Sequence, residues 1–319
     1  MRAWTVCDPK AGTLTQSLGV ARHFDPEPHR VLLDGRLAKW RKGPLSPYWR
    51  RTGAPEPEIL VSCGSFATRH VAAIAAACRN RPFTVHLQPV DDGLGDRFDL
   101  VFAARHDLRA IPSPPANYRE MLGAPHQLSR AMLEARRTAA RARWAPSGGP
   151  VVAVLVGGPT KAYRYDDATL TRLQAAIEGF AKEGRTVLAS PSRRTPPALF
   201  DWLLGVRSDR ILVWDRSGEN PYLDFVAAAD AFLVTKDSVT MPSEAATTGR
   251  PVFVFDLAGI PGEKFDEFEW FHDDLSRTLG LTRPFEGRIY DYAYEPPDES
   301  RRIAAVIRNE MARRGDLRP

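Results

Sequence analysis

From residue 151 onward, short apolar runs alternate with amphipathic stretches of helix length, and few folds accept that alternation. Val151–Val156 is apolar without interruption and ends at Gly157-Gly158, after which Asp166–Lys182 repeats Leu170, Leu173, Ile177 and Phe180 at helical spacing. An unbroken apolar run fits a strand buried on both faces, because a strand with one wet face would alternate. The rhythm continues through strands Thr186–Ala189, Arg210–Trp214, Ala231–Thr235 and Pro251–Phe255, with helices near Pro196–Leu204, Pro221–Ala229 and Val239–Thr248. Strands joined by helical crossovers predict a parallel sheet covered on both faces, a Rossmann-like domain of the α/β class.

The first half repeats this logic less cleanly. Ala3–Cys7, Arg30–Asp34, Glu58–Ser62, Thr84–Leu87 and Asp99–Ala103 read as strands and Ala67–Cys78 as an Ala-rich helix, which predicts a second Rossmann-like domain. A helix-like stretch, Gln127–Trp144, runs into Ala145-Pro146-Ser147-Gly148-Gly149-Pro150, which has linker composition. The expected division is therefore 1–145, 146–297 and a C-terminal helix within 298–319, where Ile303, Val306, Ile307 and Met311 share one face. A chain of 319 residues suits two domains. It holds no apolar run of membrane-spanning length and no apolar leader, and Cys7, Cys63 and Cys78 are too few for a disulfide framework. A cytoplasmic protein with reduced thiols is expected.

Charge divides unevenly. Residues 1–145 carry 22 Lys and Arg against 13 Asp and Glu, whereas residues 146–319 carry 22 against 26, so a basic half precedes a mildly acidic one. A basic domain suits an anionic surface or substrate, although a solvated face explains it almost as well. The segment 37–51 interleaves Trp40, Tyr48 and Trp49 with Lys39, Arg41, Lys42, Arg50 and Arg51. Aromatics at headgroup depth and cations over anionic lipid are the two signals of peripheral binding, so Trp40, Arg41, Lys42, Trp49, Arg50 and Arg51 are candidate membrane contacts on the inner face of the cytoplasmic membrane. A loop packed on the first domain is the alternative. No nucleic-acid motif accompanies the patch, and nucleic acid is not an expected partner.

In an open parallel sheet, ligands bind outside the carboxyl ends of the strands. In the second half, Gly157-Gly158, Ser192-Arg193-Arg194-Thr195, Asn220, Lys236-Asp237-Ser238 and the residues after Phe255 follow successive strands. The sharpest element runs from Asp237-Ser238-Val239-Thr240-Met241 through Ser243-Glu244. A strand that turns into a helix there aims unpaired backbone N–H groups at the crevice and suits a diphosphate, and Glu244 would accept hydrogen bonds from ribose hydroxyls. Asp237 or Ser238 as a plain N-cap, and Glu244 as a dipole charge, is the competing account.

This segment resembles the donor-binding strand and helix of GT-B glycosyltransferases, and the whole chain is similar to the mitochondrial-fission ELM-like family. The resemblance rests on Asp8, Ala11-Gly12, Gln16 and Gly19; on Phe98-Asp99-Leu100-Val101 with Arg105-His106-Asp107; on Leu155-Val156-Gly157-Gly158-Pro159; on Ser192-Arg193-Arg194-Thr195; on Asn220-Pro221-Tyr222; on Asp237–Gly249; and on Arg283-Pro284-Phe285-Glu286-Gly287. One departure stands at Gly12-Thr13-Leu14-Thr15-Gln16, where Thr13 occupies the place of a histidine. The resemblance implies a two-domain GT-B architecture with a central cleft, places Gly12 with the substrate-binding residues, and fixes no reaction.

The expected function is a glycosyltransferase that uses a nucleotide sugar as donor substrate, needs no cofactor or metal, and acts on a lipid-linked or envelope acceptor. Arg193, Arg194 and Lys236 would neutralise the leaving diphosphate, and Gly157 and Gly158 would permit close backbone approach. The sequence contains no D-x-D and no His pair at metal-ligand spacing, so Arg, Lys and the helix end are expected to meet that charge. Candidates for the acceptor base follow strands of the first domain: Asp8 first, then His106 or Asp107. Asp8 as a helix cap, and His106 and Asp107 paired with Arg105, are the structural alternatives. G-x-G-x-x-G and Walker A motifs are absent, which disfavours NAD-dependent and NTPase chemistry. A cofactor-free nucleotide-sugar epimerase and a non-catalytic membrane adaptor stay open.

Overall fold

The computed structural model describes residues 1–33 and 53–315. The chain divides into two compact units, Met1–Gln127 with Asp298–Pro319, and Leu128–Pro297. Trp40, Arg41, Lys42, Trp49, Arg50 and Arg51 lie outside the described residues.

In the first unit β1 (Ala3–Cys7), α1 (Ala11–Ala21), β2 (His29–Leu32), β3 (Ile59–Cys63), α2 (Ala67–Ala77), β4 (Phe83–Leu87), β5 (Leu100–Ala104), α3 (Arg105–Ala110) and β6 (Tyr118–Met121) follow in order. Among the described residues the strands form a parallel sheet of order β2-β1-β3-β4-β5-β6. Strand order therefore reverses between β1 and β3, the switch point at which such sheets open a crevice. Ala3, Ile59, Val61 and Val85 pack on one face with Ile303, Ile307 and Met311 of the C-terminal helix Glu299–Arg314, and Trp4, Val6, Leu60 and Val101 pack on the other. The helix is anchored in this unit by Ser300, whose hydroxyl donates to His126 O at 2.7 Å.

The second unit contains α4 (Arg130–Trp144), β7 (Val151–Val156), β8 (Tyr163–Arg164), α5 (Asp167–Lys182), β9 (Thr186–Pro191), α6 (Pro197–Gly205), β10 (Ile211–Val213), α7 (Tyr222–Ala228), β11 (Ala231–Thr235), α8 (Thr240–Ala246), β12 (Val252–Phe255), β13 (Ala258–Gly259), α9 (Glu263–Asp273) and β14 (Arg283–Pro284). Its main sheet is parallel with order β10-β9-β7-β11-β12-β14, and β8 pairs separately with β13. Counted within this sheet the order is third, second, first, fourth, fifth, sixth, the doubly wound arrangement, and its switch point lies between β7 and β11. Alternation along β7 explains its unbroken apolar sequence. Val151, Ala153 and Leu155 enter one core while Val152, Val154 and Val156 enter the other.

The helix α4 belongs to the second unit, so the unit starts at Leu128, ahead of the linker-like residues 145–150. Leu133 and Ala140 are buried against the Phe225–Ala229 layer. The Arg137 and Arg141 side chains donate to the terminal carbonyls of α7 and pair with Asp230. Cations at a helix C-terminus meet its negative dipole end. Linker composition thus marks a loop inside a unit. No helix of the described residues is long and apolar enough to cross a membrane.

Candidate functional site

The switch point of the second unit gathers the residues that follow β7, β9, β11 and β12. Gly157 and Gly158 leave β7, and Asp237 follows the adjacent β11. The Asp237 side chain is fully buried. Its Oδ2 accepts from Gly158 N–H at 2.9 Å and from Arg194 Nη2 at 3.2 Å, and its Oδ1 accepts from Thr235 Oγ1 at 2.7 Å and from the Tyr165 hydroxyl at 2.9 Å. Burial pushes this carboxyl above its usual range, against the four donors that favour the charged form. The same burial, beside Asp237, pushes the Tyr165 phenol up.

The two glycines face inward. Gly157 N–H donates to Thr235 Oγ1 at 2.8 Å, and Thr195 Oγ1 donates to Gly157 O at 2.7 Å. A Cβ on Gly157 would lie 1.9 Å from Asp237 Oδ2, and one on Gly158 would lie 2.0 Å from Arg194 O. The glycines therefore admit Asp237 and the β9 loop, and their N–H groups are spent on protein acceptors.

Cations expected at a diphosphate divide into two kinds. Arg194 pairs with Asp237, and its Nη1 donates to the carbonyls of Gly158 and Pro159, both at 3.2 Å. Lys236 Nζ lies 3.1 Å from Asp256 Oδ1 and 2.7 Å from Glu269 Oε1, which also accepts from the Tyr163 hydroxyl. Arg193 is exposed in the same loop and, among the described residues, has neither an ion pair nor a hydrogen bond from its side chain. The Ser192–Thr195 loop is held from β10's side by Arg216, whose Nη2 donates to Ser192 O at 2.5 Å and whose guanidinium lies 3.8 Å from the Phe200 ring centroid. Arg216 adopts φ +65°, a left-handed conformation uncommon for a residue with a side chain.

At the head of α8, Ser238 Oγ accepts from Met241 N–H at 3.1 Å, while Val239, Thr240 and Met241 remain partly exposed. Ser243 Oγ turns back to Val239 O at 2.8 Å. Asn220 Oδ1 accepts from Tyr222 N–H at 3.0 Å and starts α7. That start carries Tyr222, whose hydroxyl donates to Glu244 Oε2. Among the described residues Glu244 Oε1 has no partner. Burial pushes the Glu244 carboxyl up to about 7, opposed by the Tyr222 bond.

The first-unit candidates do not form one cluster. Asp8 follows β1 and is buried; its Oδ1 accepts from Phe66 N–H at 3.3 Å, at the head of α2, and its carboxylate lies where a Cβ on Gly64 would meet it at 2.5 Å. His106 and Asp107 lie on α3 after β5, with His106 Nε2 3.4 Å from Asp107 Oδ1. Arg105 pairs with Glu120 on β6. Since β1 and β5 are three strand positions apart, about 14 Å separates those two strand ends. Gly12 lies in the first turn of α1, and Thr13 Oγ1 donates to Asp8 O at 2.8 Å. Among the described residues no group of three or more His, Cys, Asp and Glu side chains is arranged to hold a metal.

The sequence assigns no role to Tyr165, Thr235 or Glu269; it places Arg216 only on the polar rim after the third strand of the second half, within Asp215–Asn220, and Tyr222 only in the motif Asn220-Pro221-Tyr222.

Two Rossmann-like units in one chain have counterparts among solved structures. The UDP-GlcNAc 2-epimerase of Methanocaldococcus jannaschii, in a complex with UDP-GlcNAc and UDP, aligns with a TM-score of 0.53 at 12% identity, covering 97% of this chain and 100% of that one. The glycotransferase of kitacinnamycin aligns at 0.51 and 14% identity, covering 99% and 94%. The fold is thus of the GT-B type shared by glycosyltransferases and such epimerases. The mitochondrial fission ELM1 family model matches residues 11–311, and the chain belongs to that family. The mitochondrial fission protein ELM1 of Arabidopsis thaliana is 27% identical over 286 residues, 81% of this chain. The match spans 65% of the plant protein's length.

Proposed function

We propose that this chain is a nucleotide-sugar-dependent glycosyltransferase, with the donor held by the second unit and no separate cofactor or metal. The observation that carries the reading is Glu244. Its buried carboxylate is steadied through one oxygen by Tyr222 and keeps the other for a ribose hydroxyl, beside the β7/β11 switch point where doubly wound sheets bind nucleotides. The complex of the M. jannaschii epimerase with UDP-GlcNAc and UDP, on the same fold, supports a nucleotide sugar as ligand. Of Arg193, Arg194 and Lys236, Arg193 is the one that makes no ion pair among the described residues, and it is the one proposed to meet the diphosphate. In the transfer, an acceptor oxygen bonds to the sugar's anomeric carbon as the bond to the diphosphate oxygen breaks. The diphosphate keeps that electron pair, and the acceptor's proton passes to a base, for which Asp8 is the first candidate and His106 or Asp107 the next.

Calorimetry with UDP, GDP, ADP and CMP tests the donor site; a folded protein that binds none of them has no such site. Glu244→Ala weakens binding by about 1–3 kcal/mol if charge-assisted hydrogen bonds to ribose are lost. A second reading, a cofactor-free nucleotide-sugar epimerase, is favoured by the epimerase likeness over 97% of the chain. Incubation with a UDP-sugar and no acceptor separates the two, since only an epimerase returns an inverted sugar still attached to UDP. The basic-aromatic segment 37–51 supports a lipid-linked or envelope acceptor and peripheral attachment to an anionic membrane on its cytoplasmic face.

A further inference from the structure

The residues that leave β7 raise a question the donor reading does not answer. Glycine-rich turns at a switch point ordinarily present backbone N–H groups to phosphate, yet here both are turned away from any ligand. Gly157 N–H reaches Thr235 Oγ1 at 2.8 Å and Gly158 N–H reaches Asp237 Oδ2 at 2.9 Å. Thr235 Oγ1 in turn donates to Asp237 Oδ1 at 2.7 Å, so the two anchors are one hydrogen-bonded unit. The Tyr165 hydroxyl and Arg194 Nη2 complete it. A carboxylate has about four lone-pair sites, and four donors occupy them here. The side chain is 0% exposed.

We propose that Asp237 is a positioning residue and not a ligand contact: from the end of β11, with Thr235 and Tyr165, it fixes the Gly157–Thr160 turn and the Arg194 side chain against which a nucleoside diphosphate would bind. The choice of nucleoside diphosphate rests on the donor reading above; the fixing of the turn does not. Close approach makes the arrangement stiff, because a Cβ on Gly157 would lie 1.9 Å from Asp237 Oδ2. Chain order makes it specific, since the carboxylate joins loops that follow three neighbouring strands, β9, β7 and β11.

The test pairs amide hydrogen exchange with calorimetry on the full chain, using Asp237→Asn and UDP as the probe. Asn keeps the shape but offers one acceptor oxygen in place of two. Exchange at Gly157 and Gly158 should accelerate about tenfold or more while β7 and β12 amides stay protected, and UDP affinity should fall about tenfold. Unchanged exchange at the two glycines overturns the positioning role. Weakened UDP binding with unchanged exchange also overturns it and makes Asp237 a ligand contact. If the wild-type chain binds no UDP, the donor reading fails and exchange alone decides whether Asp237 fixes the turn. Should Asp237→Asn not fold, Tyr165→Phe removes one donor to the far oxygen and is expected to accelerate the same two amides, more weakly; no acceleration there refutes the proposal.

Discussion

Replacing Glu244 with Gln isolates the energetic consequence of burying an acid beside a phenol. Burial raises the native carboxyl from its ordinary value near 4.5 to about 7. Between those limits the native state holds a proton that the unfolded chain has released. Stability therefore falls as pH rises, by about 1.4 kcal/mol per unit, and the neutral acid's contribution is complete below 4.5 and gone above about 7. Across the window the loss is about 3 kcal/mol. Glu244→Gln keeps the shape and an oxygen for the Tyr222 hydroxyl but does not titrate, so it lacks this slope. Urea unfolding of both proteins at intervals from pH 4.5 to 8, followed by far-ultraviolet circular dichroism, reads the difference, and subtraction cancels the other carboxylates. The variant should gain about 3 kcal/mol on the wild type between the ends of the range. A difference that stays constant with pH would show that Glu244 titrates normally, and the argument from its burial would fail.

Gly157→Ala drives a methyl group into the Asp237 carboxylate and should cost about 1–3 kcal/mol in the second unit's unfolding free energy, or more if a hydrogen bond to the carboxylate breaks; a variant as stable as wild type contradicts the close approach. Asp8→Asn should lower transfer by about 10²–10⁴-fold in a product assay while UDP affinity holds, if Asp8 is the acceptor base; surviving turnover shifts that role to His106 or Asp107, and an unfolded variant points instead to its bond with Phe66. Liposome sedimentation should show binding to anionic vesicles that fades as the Debye length falls from about 10 Å at 0.1 M salt to about 3 Å at 1 M. If Trp40→Ser, Trp49→Ser and reversal of Arg50 and Arg51 leave partitioning unchanged, segment 37–51 is not a membrane contact.

Much of this fold is legible along the chain because its sheets are parallel. A strand buried on both faces is apolar along nearly all of its length, so Val151–Val156 and Ala231–Val234 announce themselves locally. Tyr118–Met121 does not: Tyr-Arg-Glu-Met is an edge strand with half-buried positions and no apolar period. The helix Ala11–Ala21 is also concealed, because its buried face includes Thr13, Gln16, Ser17 and Gly19. The sequence by itself determined two Rossmann-like domains, the strand ends at which polar residues collect, and the kind of residue found there. Tertiary structure alone decided their partners. Gly158 and Asp237 are 79 positions apart, Arg194 and Asp237 43, and Tyr222 and Glu244 22. Periodicity reports which face of an element is buried, a property of neighbouring residues. Which carboxylate neutralises which cation depends on strand order, and that is settled only when the whole sheet closes its core.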